Sequence, residues 1–91
     1  MISTHAQCIA TIEDVLIQVA KVVAQVGSSP QLLNAKRYLQ DMLKVVQKKT
    51  KPSADQVKNL VTACNALRGV PIRAPELHNQ LYDIEDFVET L

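Results

Sequence analysis

Two histidines and two cysteines are the side chains of this 91-residue protein best suited to hold a metal or attack a substrate. His5 and Cys8 stand three residues apart, close enough on one helical turn to supply half of a zinc site. The remaining ligand types, Cys64 and His78, add no supporting spacing, and neither cysteine belongs to a CxxC or CxxH pattern. Both cysteines fall on or beside apolar stripes, where a thiol behaves as a small hydrophobe. The expectation is two reduced core or near-core cysteines, with no metal and no cofactor.

Other reactions housed by small helical proteins leave local signatures, and the sequence lacks each of them. A di-iron centre uses Glu-x-x-His on two helices, whereas Glu76 precedes His78 by only two positions. Asn79-Gln80-Leu81-Tyr82 follows His78 without the Lys and Gly that accompany a phosphoaccepting histidine. Ser29 before Pro30 and Ser53 before Ala54 do not stand in the Asp-Ser-Leu context of an acyl carrier. The carboxylate pairs Glu13-Asp14 and Glu85-Asp86 are adjacent in sequence, so on a helix they diverge by about 100° and read as solvated charge. The two glycines look like helix stops rather than a phosphate cradle. The chain is therefore read as non-catalytic.

What would position any site is a rhythm of apolar residues returning at alternating steps of three and four in four segments. The first, residues 3–26, carries Ile9, Ile12, Leu16, Val19, Val23 and Val26 on one helical stripe. Cys8, Val15 and Val22 form a second row beside it, and Ile17 lies well around the helix. Gln7, Asp14, Gln18, Lys21 and Gln25 make a polar strip expected to meet water. Ser3 or Thr4 can cap this helix, and Gly27 stands where a left-handed residue would end it.

Ser29-Pro30 is a strong start for a second helix over 30–49, with the stripe Leu32, Ala35, Leu39, Met42 and Val46 widened by Tyr38, Leu43 and Val45. Pro52 forbids its continuation. Ser53 and Gln56 have capping-box spacing for a third helix over 54–68, whose buried face is Val57, Leu60, Val61, Cys64 and Leu67. Gly69, Val70 and Pro71 read as a glycine stop with a hydrophobic latch, followed by an extended connector over 70–74. Pro75 opens a fourth helix over 75–91 with Leu77, Leu81, Ile84, Val88 and Leu91 as its stripe, and Glu76 meets the positive end of the helix dipole. The run Ser29-Pro30-Gln31-Leu32-Leu33-Asn34-Ala35-Lys36 through Val46 resembles the helices of talin- and vinculin-type rod bundles, a likeness shared by any helix rich in Leu, Ala and Lys.

Connections of about three to six residues make sequential helices antiparallel neighbours. The fold expected is all-α, an antiparallel up-down-up-down four-helix bundle, with residues 1–91 as a single domain. Aromatic residues are few, Tyr38, Tyr82 and Phe87, so Leu, Val, Ile and Ala must build the core. The first helix, roughly 36 Å against about 22 Å for the third, is long enough to leave apolar surface overhanging.

Ten basic and nine acidic residues leave a formal net charge of +1, which argues against a strongly basic polyanion binder and against an acidic disordered tail. Glu13, Asp14, Gln18 and Lys21 interrupt the most apolar segment too early for a membrane span. No secretory signal pattern is visible, and the unpatterned cysteines favour the cytoplasm.

Two surfaces remain as candidates for function. Val15, Ile17 and Val22 of the first helix, with Tyr82 and Phe87 of the fourth, form a surface able to bury a helical partner or a second copy of the chain. Arg37, Lys44, Lys48 and Lys51 form a basic face opposite the apolar stripe of the second helix, while residues 74–91 hold five acidic residues and no Lys or Arg. A protein-protein interaction, adaptor or regulatory module, as monomer or homodimer, is the function expected. A regulatory nucleic-acid binder working through the basic face is the alternative, weakened by the lack of interleaved aromatics and of a helix-turn-helix spacing.

Overall fold

A computed structural model describes residues 2–70 and 75–91, and it contains four helices: α1 over His5–Val26, α2 over Pro30–Gln47, α3 over Ala54–Arg68 and α4 over Pro75–Glu89. Each starts and stops for local chemical reasons. Thr4, rather than Ser3, caps α1: its hydroxyl accepts from the Gln7 amide at 3.1 Å, while Gln7 Oε1 accepts from the Thr4 amide at 3.2 Å and the Ser3 amide at 2.8 Å. Ser29 Oγ accepts from the Leu32 amide at 3.2 Å with Pro30 in the first helical position. Ser53 and Gln56 close the expected capping box on α3 at 2.8 and 3.1 Å. Each cap satisfies amides that a helix start leaves without a partner.

The helix ends differ from expectation in instructive ways. Gly27 has a positive φ of 83°, but its ψ of 160° lies in a region open to glycine rather than in the left-handed helical well. α2 ends at Gln47, two residues early, because Lys49 turns into the left-handed region at φ 55°. The Thr50 amide then donates to the Val45 carbonyl at 3.2 Å and the Lys49 amide to Val46 at 3.1 Å, the bond pattern of a Schellman ending with lysine where glycine usually stands. Gly69, in contrast, keeps an ordinary right-handed backbone at φ −83°. The stop at Arg68 therefore uses no conformational freedom peculiar to glycine, although Val70 does pack against the core. α4 ends at Glu89 rather than at residue 91. The expected connector over 70–74 falls, beyond Val70, outside the described residues.

Packing joins α1 to α2, α2 to α3, α3 to α4 and α4 back to α1, the closed ring of a four-helix bundle. Directions follow from residue pairings. His5 meets Phe87 while Gln18 meets Gln80, so α1 and α4 run oppositely. Gln31 and Leu32 share a cleft with Asn65 and Ala66, whereas Lys44 and Lys48 lie near Gln56, so α2 and α3 also run oppositely. The radius of gyration is 12.2 Å, matching the ~12 Å of a compact chain of this length.

Ile12, Leu39, Met42, Leu60, Leu67, Leu81 and Ile84 are the largest side chains wholly removed from water. The stripes expected of α2 and α4 are buried through Leu32, Ala35, Leu39, Met42, Val46, Leu77, Leu81, Ile84 and Val88. α1 is rotated from its expected setting. Its buried row is Cys8, Ile12, Val15, Val19 and Val22, while Ile9, Leu16 and Val23 are half-buried at its edge and Val26 is exposed. At 100° per residue this turns the inward direction by about 50°. The arc α1 buries is centred between its two apolar rows, not on the row with the bulkier side chains.

Candidate functional site

The rotation of α1 buries two of the three expected docking residues it carries, and one of the two on α4 is buried as well. Val15 is fully buried, Val22 is 6% exposed and Phe87 is 8% exposed, so these three belong to the protein's own core and are not docking residues in the folded chain. Phe87 and the His5 ring meet in a T-shaped contact, with centroids 5.4 Å apart and planes at 89°. Ile17 and Tyr82 do lie outside, at 57% and 56% exposure.

Ile17 sits about 180° from the centre of the buried row of α1, at the middle of its outward face. Ala6, Ala10, Glu13, Ala20 and Ala24 are exposed on the same face, at steps of four and three along the helix. Apart from Glu13, and Lys21 at the opposite margin, this face offers little but methyl groups. Half-buried Leu16 and Val23 extend it to one side. The other side is polar and is bridged to α4: Gln18 Nε2 donates to Gln80 Oε1 at 2.6 Å and to Asp14 Oδ2 at 3.0 Å, and Gln80 Nε2 donates to the same Asp14 oxygen at 2.6 Å. Part of the strip expected to face only water therefore ties two helices together.

Tyr82 is engaged within the molecule despite its exposure. The Arg68 guanidinium stands 4.7 Å from its ring centroid and also donates to Glu85 Oε1 at 2.5 Å and Asn65 Oδ1 at 2.6 Å. Asn65 and Arg68 lie on α3 and Tyr82 and Glu85 on α4, so no local spacing announced the contact between the two pairs. Beneath it, burial first and the Glu85 charge second push the Cys64 thiol up to about 12; burial alone pushes Cys8 up to about 11. Thiols so disposed are poor nucleophiles at neutral pH.

Arg37, Lys44, Lys48 and Lys51 are all exposed. Asp41, which the sequence reading passed over, is also exposed and shares the outer row of α2 with Arg37, Lys44 and Lys48, so the basic face carries a negative charge in its middle. Lys44 and Lys48 border an open depression of about 410 Å³ with Asp41, Val45, Thr50 and Gln56. Among the described residues, no three His, Cys, Asp or Glu side chains converge as a metal ion would require. No helix among them is long and apolar enough to cross a membrane.

Compared with protein-family models, with curated proteins and with solved structures, the chain finds no match.

Proposed function

We propose that this protein is a small non-catalytic interaction module, adaptor or regulator, which works in the cytoplasm by docking a helical partner or a second copy of itself. The observation that carries the reading is the outward face of α1, where Ile17 stands open to solvent amid exposed alanines on a helix whose opposite side is already committed to the core. Helix-on-helix recognition uses the same three-and-four spacing that builds the bundle. An aliphatic side chain left outside gains free energy of roughly 1.5–3 kcal/mol when a partner removes it from water. The test compares wild-type protein with Ile17→Asp for helical content, mass in solution and recovery of bound partners. The expected result is retained folding with loss of association; unchanged mass and unchanged partner recovery would remove the reading.

Nucleic acid is the second reading, favoured by the common exposure of Arg37, Lys44, Lys48 and Lys51. Asp41 within that row and the scarcity of exposed aromatics reduce its strength. Retardation of DNA or RNA at low salt, abolished by Lys44→Glu/Lys48→Glu and by added salt, is its expected signature.

A further inference from the structure

We infer that the occupant of the outward face of α1 is a second copy of the chain, laid antiparallel across a two-fold axis that passes beside Ile17. The inference rests on the interaction reading above and names its partner. Glu13 lies four residues before Ile17 and Lys21 four residues after it, both exposed, and helical geometry sets them about 40° to either side of it. When two such helices run antiparallel with Ile17 opposite Ile17, the two-fold axis keeps each residue on its own margin, so Lys21 of each copy meets exposed Asp14 of the other, about 60° round on the same side, while Glu13 lines the opposite margin. Ala10 then faces Ala24, and the paired methyl groups let the helix axes approach closely.

A parallel arrangement instead sets Glu13 of one copy beside Asp14 of the other, like charge against like, so charge selects the antiparallel one. Such margin charges set orientation in paired helices generally. The same patch serves both copies, as a two-fold interface requires. From Ala6 to Ala24 the face is about 27 Å long and about 10 Å wide. Its area is at the small end for a specific complex, so the dimer is weak and reversible.

Sedimentation across a concentration series up to millimolar protein tests the arrangement. Wild-type protein is expected to move from monomer to dimer. Lys21→Glu alone is expected to raise the dimer dissociation constant about tenfold, because it sets two symmetry-related contacts with Asp14 in repulsion. The double exchange Asp14→Lys/Lys21→Glu recovers part of the affinity. Helical content, measured alongside, should be unchanged, since both positions are exposed. As a geometric check, Ile17→Cys is expected to form a covalent dimer on mild oxidation, with Cys8 and Cys64 silent in the core; Leu33→Cys, exposed on α2, is not.

A wild-type chain that stays monomeric throughout, charge reversals without effect, or equal oxidation of the two cysteine variants overturns the two-fold arrangement. Loss of a different bound partner in Ile17→Asp under those outcomes leaves the broader interaction reading standing, so the two fail separately.

Discussion

Arg68 of α3 and Glu85 of α4 meet at 2.5 Å with side chains only 18% and 15% exposed, and the same guanidinium covers the ring of Tyr82. A mostly buried pair of this kind costs desolvation, and the cost is returned only while both members are present. Glu85→Ala is therefore expected to lower stability by about 1–3 kcal/mol, more than a fully exposed ion pair would. Urea unfolding of Arg68→Ala, Glu85→Ala and the double variant should reveal a coupling energy, with the double variant less destabilised than the sum of the singles.

Lys49 holds a left-handed backbone that costs an L-residue about 1–2 kcal/mol and that glycine adopts freely. Set against the greater chain entropy of glycine in the unfolded state, Lys49→Gly is expected to stabilise the protein by up to about 1 kcal/mol. A rise in thermal midpoint of a few degrees is the corresponding readout.

The rotation of α1 makes a sharp contrast between two isoleucines five residues apart. Ile12→Ala removes a fully buried side chain and should cost about 2–5 kcal/mol, whereas Ile17→Ala should change monomer stability by no more than about 0.5 kcal/mol. Denaturant midpoints measured at low protein concentration, where self-association does not contribute, check both values.

Both thiols titrate higher in the folded chain than the ordinary 9.0, Cys8 at about 11 and Cys64 at about 12. Below about pH 8 the folded and unfolded states bind nearly the same thiol protons, and the cysteines impose almost no pH dependence. Between pH 9 and about 11–12 the unfolded state ionises while the folded state does not, so stability falls by as much as about 1.4 kcal/mol per pH unit for each cysteine. Cys8→Ala/Cys64→Ala should flatten that part of the stability curve. Alkylation of native protein at neutral pH should proceed only at the rate of opening.

Much of the architecture could be read from short-range chemistry. Ser29-Pro30 and the Ser53–Gln56 box marked helix starts within a residue, and the α2 stripe from Leu32 to Val46 was legible because the charged row of Arg37, Asp41, Lys44 and Lys48 fills the opposite side. α1 was harder, since Ile9–Leu16–Val23 and Cys8–Val15–Val22 are both apolar and their periodicity is identical. Which row faces inward depends on where α2 and α4 lie, a tertiary matter that weighed against the bulkier row. The same holds for the site. Ile17 was legible as an outlier from its own stripe, whereas Val15, Val22 and Phe87 looked surplus only because the width of the buried arc was underestimated. Arg68–Glu85–Tyr82 and Gln18–Gln80–Asp14 join distant segments, and Lys49 occupies a position for which its own type gives no cue.

Among the described residues, no polar or charged side chain is buried in the core. Aliphatic groups are forgiving of exchange with one another, so mutation can renovate this interior piecemeal without erasing the topology. The information that tells one helix order or register from a competing one must then reside in the perimeter: the hydroxyl caps, the amide bridge at Gln80 and the guanidinium clasp at Arg68. Such a protein could exchange one core aliphatic for another of like volume and keep its shape, while the loss of a single clasp at the margin would loosen the choice of helix order.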